Sequence, residues 1–181
     1  MKKRNLVWLV ALGFVLACSS SDKKEPLKTN VFVEQKVADF VASHPKWTEG
    51  EKTDDEITDK FQHEVKRWSN ETNFLDSMPL QLSSLRDTSL NNEVFKIGTF
   101  TAFNDNMRPK GSLLNYLQLR VDGFIGKEME SQLKLSGKYY IKGVLYKQGS
   151  RKDVKVIHVS DFKGYDLGKY LFTIQEVKEI K

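Results

Sequence analysis

The sequence predicts an α+β protein in which N-terminal helices pack on a small antiparallel β-barrel or sheet of five strands. Apolar residues recur at helical spacing between residues 31 and 68, and from Leu80 onward they alternate with polar residues. The chain has 181 residues, of which 39% are hydrophobic and 11% aromatic. This composition is enough for one hydrophobic core and argues against a disordered chain.

The chain is predicted to begin with a signal peptide over residues 1–17. Three basic residues at positions 2–4 precede an apolar run from Leu6 to Ala17. A positive start, an apolar run of about 7–15 residues and a small residue before the cut are typical of a secretory signal. The run is too short to cross a membrane as a helix.

The residues Val15-Leu16-Ala17-Cys18 resemble the lipobox of bacterial lipoproteins. The resemblance implies that the Cys18 thiol receives a diacylglycerol and that its amine, freed by cleavage, is acylated as well. Cys18 is the sole cysteine, so the mature chain would have no thiol for a disulfide or a metal site. The alternative is a secretory signal whose cysteine stays unmodified.

The lipobox resemblance also implies a location. The protein is expected in the cell envelope, held by its lipid anchor in the outer membrane, on the periplasmic face or at the cell surface. Ser19 follows the cysteine where an Asp would favour retention in the inner membrane in enteric-type sorting. Residues 18–30 contain the acylated cysteine and a short polar tether.

Residues 31–79 are predicted to form two helices. The first extends from Val31 to about Ser43, with Asn30 as its cap and Pro45 after its end. Its apolar stripe consists of Val33, Val37, Phe40 and Val41. Both helices carry narrow stripes, so we expect them to pack on a larger element.

The second helix has the strongest local signal. Thr53 to Glu56 has the pattern of a capping box. Asn70 is a candidate to end the helix in the left-handed backbone conformation. The apolar stripe consists of Ile57, Phe61, Val65 and Trp68. We expect the Phe61 and Trp68 face to dock on the sheet.

Residues 80–181 are predicted to form the antiparallel β domain. A short strand is expected at residues 80–83, and about five strands between Glu93 and Lys181. Gly98 is predicted to mark a bulge, and Gly164 to Gly168 a loop before a final strand that starts near Tyr170. A short helix or irregular crossover is predicted between residues 126 and 135.

Five strands with a helix between the middle strands resemble the OB-fold, a small Greek-key barrel. The resemblance is one of pattern and implies a barrel whose outer face binds extended ligands. The alternative is an open antiparallel sheet with the helices on one face.

The charge distribution disfavours nucleic acid as a partner. The net charge of +5 falls to +2 when the three basic residues of the signal are removed, since 26 basic and 24 acidic residues remain. Residues 51–80 have a net charge of −4, and residues 131–160 a net charge of +6. The basic stretch indicates either a solvated face opposite the acidic helix or a groove for an anionic partner, such as a glycan, a lipid headgroup or a phosphate. A protein is the other partner expected.

The candidate ligand site is a mixture of aromatic and basic residues in that stretch. Rings that stack on a ligand beside cations that follow its charge are typical of barrels of this class. The proposed residues are Lys138, Tyr140, Lys142, Tyr146, Lys147 and Arg151. The alternative is that the tyrosines are present only because they favour strands.

No catalytic or metal motif is found in the sequence. The histidines His44, His63 and His158 lack metal-ligand spacing. Helix capping explains the carboxylates at residues 54–56, and Asp59 is interpreted as one of many solvated charges. We therefore expect a non-catalytic binding or assembly module without metal or cofactor. The alternative is an envelope hydrolase whose active-site residues are dispersed in the sequence.

Overall fold

A computed structural model describes residues 27–47, 54–90, 93–159 and 162–181. Within these ranges the chain forms three α-helices, two short 3₁₀ helices and six strands, which makes it an α+β protein as predicted. The predicted signal, the lipobox and most of the tether lie outside the described residues, as does Thr53. No helix in the described ranges is long and apolar enough to cross a membrane.

Helix α1 extends over Phe32–Ser43, close to the predicted range. The expected cap at Asn30 is wrong, because Val31 is the N-cap and no side chain caps this helix. Instead the Thr29 hydroxyl accepts a hydrogen bond from the Val31 N–H at 3.2 Å. Three residues of the predicted apolar stripe, Val33, Val37 and Phe40, are buried.

Helix α2 extends over Asp55–Trp68, and its N-cap Asp54 accepts a hydrogen bond from the Ile57 N–H at 3.1 Å. The predicted stop at Asn70 is wrong. Among the described residues other than glycine, only Ser77 and Ser136 have positive φ. The chain instead leaves α2 through hydrogen-bonded turns, which need no left-handed residue.

Six strands and a third helix follow α2 along the chain. The strands are β1 (Leu80–Leu90), β2 (Glu93–Thr101), β3 (Leu117–Ile125), β4 (Lys138–Gln148), β5 (Lys155–Val159) and β6 (Phe162–Glu179). Helix α3 (Lys127–Glu130) lies between β3 and β4, where the sequence predicts a short helix. The short 3₁₀ helices are Leu114–Tyr116 and Arg151–Asp153.

The five strands predicted between Glu93 and Lys181 are confirmed as β2 to β6. The sheet nevertheless has six strands rather than five, because the short strand predicted at residues 80–83 is the full strand β1 of 11 residues. Every residue from Gln81 to Leu90 except Ser83 pairs with β2. Beyond Leu82, however, none of the described side chains of β1 is buried, so this part of the strand lacks apolar alternation. The pairing of β1 with β2 shifts register between Leu82 and Ser84, which belong to β1. The bulge was predicted at Gly98, which belongs to the partner strand β2.

The strands form one sheet in the order β3-β2-β1-β4-β6-β5. These neighbours pair antiparallel. Strand β3 also pairs with β6, in parallel, from Leu117↔Tyr165 to Phe124↔Thr173. Strand β6 therefore has three partners: β3, β4 and β5.

Strand β6 includes the segment Gly164 to Gly168, which the sequence predicts as a loop. The chain bends within the strand at Gly168, which has a φ of +88° that favours glycine. Asp166 Oδ1 accepts the Gly168 N–H at 2.9 Å and holds this bend. The loop prediction is wrong because a strand can continue through a single left-handed glycine.

Helix α2 docks on the β domain through its apolar face, as expected. Phe61 and Trp68 are buried, and the Phe61 ring lies 5.9 Å from the ring of Tyr165 in β6. Polar contacts flank this face. Gln62 Nε2 donates to the Val154 carbonyl at 2.9 Å, and Gln148 Nε2 donates to the Lys66 carbonyl at 3.0 Å.

Candidate functional site

Strand β4 presents alternate side chains to the core and to the outside. Tyr139 and Ile141 are buried, whereas Tyr140 is 38% exposed and Lys142 is also exposed. This confirms the predicted faces of the strand. Tyr140 and Lys142 therefore lie on the outer surface of the sheet, where a ligand can reach them.

The register between β4 and β6 adds two charged residues to this surface. Tyr140 lies opposite Lys178, and Lys142 lies opposite Glu176. The Lys142 ammonium contacts the Glu176 carboxylate at 3.2 Å. This pair is exposed, so its stabilising effect is small.

A groove of about 640 Å³ opens over these strands, and we call it the basic groove. Residues 27–31, which lead into α1, and residues of the loop between β2 and β3 also line it. Its charged and aromatic lining residues that matter here are Lys28, Lys110, Tyr140, Lys142, Glu176 and Lys178. The groove therefore has four lysines from four separate parts of the chain.

The positive charge of the basic groove is largely unpaired. Lys28, Lys110 and Lys178 are exposed and form no ion pair with a described residue. The exposed carboxylate of Glu176 already contacts Lys142. An anion in the groove would therefore meet free ammonium groups, which act as point charges toward phosphate, sulfate or carboxylate.

A buried carboxylate holds two walls of the groove together. Glu34 of α1 is only 2% exposed, and its Oε1 accepts the Ser112 hydroxyl at 2.6 Å and the Leu113 N–H at 2.7 Å. Its Oε2 accepts the Thr29 hydroxyl at 2.7 Å. Three donors thus satisfy the buried carboxylate. Glu34 thereby fixes both the segment that enters α1 and the loop that contains Lys110.

A second cationic cluster lies next to the groove, around the ring of Phe103. The Lys138 ammonium lies 4.6 Å from the ring centroid, and the Arg108 guanidinium lies 5.0 Å from it. Arg108 also donates to the Phe103 carbonyl at 2.7 Å. Lys138 contacts the Asp105 carboxylate at 3.5 Å. Lys138 therefore lies in this neighbouring cluster and does not line the groove.

The electrostatics of this cluster are set by burial and by backbone donors. Burial lowers the pKa of Arg108, whose Nε has no hydrogen-bond partner among the described residues. The Met107 N–H donates to the Asp105 carboxylate and lowers the pKa of that group. Arg108 interacts electrostatically with Glu34 and Tyr140, so the cluster adds to the positive potential at the groove.

The structure places Tyr146 and Lys147 away from the basic groove. Tyr146 is 57% exposed, and its ring contacts the ring of Phe124 at 5.4 Å with an interplanar angle of 84°. Lys147 is exposed and lies opposite Leu171 in β6. Neither residue lines the groove, so the predicted site is divided between separate surfaces.

Arg151 connects the β domain to helix α2. Its guanidinium contacts the Asp59 carboxylate at 2.9 Å and also contacts the His63 ring. The acidic side of α2 thus meets the basic stretch of residues 131–160. This contact gives Arg151 an interdomain role between helix and sheet rather than a place in the groove.

The sequence prediction missed Lys28, Lys110 and Lys178. Lys178 could have been found, because the strand that contains Tyr170 and Phe172 extends to it. Lys28 and Lys110 lie in non-repetitive segments, where a lone lysine has no periodic pattern that distinguishes it from any solvated lysine. Their proximity to Tyr140 arises from the tertiary fold.

The described histidines do not form a metal site. No group of three or more potential metal ligands occurs within the described residues. The His44 ring stacks on Phe40 at 4.3 Å, and His63 contacts Asp59 at 3.4 Å on α2. His158 is exposed in β5.

Comparison with known proteins assigns no relative to this chain. No family model matches the sequence, and no curated protein or solved structure matches it. Its function therefore has to be inferred from its own residues.

Proposed function

We propose that this chain is a membrane-anchored envelope lipoprotein, acylated at Cys18, that acts as a non-catalytic binding module. Its helices and β domain form one body, and the basic groove binds an anionic component of the envelope. The lipobox resemblance at residues 15–18 supports the anchor. The observation that carries the binding function is that four lysines and Tyr140 line one groove.

We further propose that the β domain is an OB-like barrel. Following the pairs from β1 through β2, β3, β6 and β4 leads back to β1. The parallel β3–β6 pair closes this path, and α3 lies between β3 and β4, in the position expected for the resemblance. Strand β5 is then an additional strand on the edge of β6.

Acylation of Cys18 is tested by metabolic labelling in a Gram-negative host. Cells given a labelled fatty acid are expected to label the native protein and to leave the variant Cys18→Ala unlabelled. The anchor also requires the native protein to fractionate with membranes, because several acyl chains hold a protein stably. The proposed location requires it in the outer-membrane fraction. An unlabelled native protein would show that the anchor is absent.

Anion binding in the groove is tested with a heparin-derived tetrasaccharide as a soluble probe. The variant Lys110→Glu/Lys178→Glu places two negative charges in the groove and is expected to weaken binding about ten-fold or more, as measured by titration calorimetry.

The matched control is Lys147→Glu/Lys152→Glu, which changes the net charge equally at exposed positions outside the groove. This control is expected to bind almost as tightly as the native protein. Equal losses in both variants would mean that the probe senses the overall charge, and the groove would not be the site.

The alternative of an envelope hydrolase stays a prediction without a supporting observation. Among the described residues, the contact between a histidine and a carboxylate is that of His63 with Asp59. Both side chains are more than half exposed on the surface of α2. General acid–base chemistry favours groups in a less solvated site.

A further inference from the structure

We propose that the basic groove faces the membrane that holds the anchor and binds the phosphate of an anionic lipid headgroup in that leaflet. This inference rests on the proposed function, because it requires acylation at Cys18. It adds the class of ligand and the orientation of the domain on the membrane.

The position of the groove along the chain supports this orientation. Leu27 lines the groove and is nine residues after Cys18. Nine residues reach at most about 30 Å when fully extended. The groove wall that begins at Leu27 therefore stays within about 30 Å of the lipid surface, whatever path the tether takes.

The part of the chain that enters the groove is also the part that is tied to the membrane. Lys28 and Thr29 are both lining residues, and Thr29 donates to the buried carboxylate of Glu34. The start of the described chain is thereby held against the groove wall. The anchor therefore joins the domain on its groove side.

The chemistry of the lining fits a lipid phosphate. Lys28, Lys110 and Lys178 offer unpaired ammonium groups, and basic clusters next to a membrane attract anionic headgroups. Tyr140 lies among them with 38% of its surface exposed. A tyrosine ring is suited to the level of the headgroups, because one end is apolar and the other is polar.

Anchoring also explains how a groove lined by exposed lysines can hold a ligand. A domain tied to the bilayer meets headgroups at a high effective concentration, so each contact can be weak. A soluble anion at low concentration has no such advantage. The lipid phosphate is therefore favoured over free phosphate for this groove.

The inference is tested on the mature acylated protein, reconstituted into two kinds of nanodisc. One kind contains phosphatidylcholine alone, and the other contains an equal mixture of phosphatidylcholine and phosphatidylglycerol. Surface lysines are acetylated for a short time, and mass spectrometry gives the rate at each lysine. A third sample contains neutral nanodiscs with millimolar inorganic phosphate.

In the anionic nanodiscs, acetylation of Lys110 and Lys178 is expected to be about three-fold slower or more than in the neutral ones. Lys147 and Lys152 are internal controls outside the groove, and their rates are expected to stay the same. Inorganic phosphate is expected to leave all four rates unchanged. The inference would be overturned if the anionic nanodiscs slowed acetylation of the groove lysines and the control lysines equally. It would also be overturned if free phosphate slowed acetylation of Lys110 and Lys178 as much as the anionic nanodiscs do.

The intact mass of the same sample distinguishes a failure of the proposed anchor from a failure of the proposed lipid ligand. A missing acyl mass on Cys18 would contradict the proposed anchor. An acylated protein with unprotected groove lysines would contradict only the lipid ligand, and tetrasaccharide binding would still support an anionic component of another kind.

Discussion

The variant Trp68→Ala is expected to lower the free energy of unfolding by about 3–5 kcal/mol, as is usual when a large aromatic side chain is truncated in a core. Trp68 is 3% exposed at the end of α2. Its ring contacts those of Phe40 and Phe61 in edge-to-face geometry, with centroid distances of 6.5 Å and 6.2 Å. Truncation would leave a cavity that these rings cannot fill.

The loss is expected to spread beyond α2 because the aromatic cluster joins three parts of the fold. Phe40 belongs to α1, Phe61 to α2 and Tyr165 to β6. Trp47 contacts all three rings. Edge-to-face aromatic pairs stabilise a fold by about 0.5–1.5 kcal/mol beyond their buried area.

The matched control for this prediction is Tyr146→Ala, which truncates an aromatic side chain that is 57% exposed. Denaturant unfolding of both variants gives the comparison, and the control is expected to lose less than about 1 kcal/mol. A loss at Trp68 no larger than that at Tyr146 would show that the helices do not contribute to the stability of the sheet.

The variant Glu34→Ala is expected to lower the free energy of unfolding by roughly 3 kcal/mol, because it leaves the Ser112 hydroxyl and the Leu113 N–H without their acceptor. The same change is expected to weaken tetrasaccharide binding, since the loop that contains Lys110 loses its attachment to α1. Chemical denaturation and calorimetric titration measure the two effects separately.

Glu176→Ala is the control for Glu34→Ala. It also removes a carboxylate from the groove, but Glu176 is exposed and its ion pair is with the exposed Lys142. The control is expected to change stability by less than about 1 kcal/mol and to improve anion binding slightly. If Glu34→Ala were as stable as this control, the buried hydrogen bonds would not hold the walls of the groove.

The helices and the core faces were predictable because their physical cause is local. The apolar stripes of α1 and α2 have helical spacing, and the alternation in β3 and β4 marks the buried side of each strand. The same alternation correctly assigned Tyr140 and Lys142 to the outer surface. Helix capping was harder to predict, because Asp54 stands beside other polar residues that could have served and α1 has no side-chain cap at all.

The extent of β1 and the start of β6 could not be predicted from local patterns. The outer half of β1 is stabilised by backbone pairing with β2 while its side chains face solvent, so no burial period appears. In β6 the glycines at 164 and 168 resemble a loop, yet pairing with β3 and β5 keeps the chain extended. Backbone hydrogen bonds between distant segments leave little trace in the sequence.

Only those residues of the candidate site that lie together on one strand were predicted. Tyr140 and Lys142 are neighbours on β4, and their spacing indicates a shared face. Lys28 and Lys110 reach the same groove from a segment before α1 and from a loop. Tyr146, Lys147 and Arg151 were grouped with the site by proximity in the sequence, but the strand register and the contact with α2 separate them from it.

The central place of β6 has a consequence for when the protein can fold. It is the last of the described strands to be synthesised, yet β3, β4 and β5 all require it as a partner. Until it emerges, β3 pairs only with β2, and β5 has no partner at all. Contacts so distant along the chain form slowly. A nascent chain would therefore lack its complete sheet until its synthesis passes residue 179.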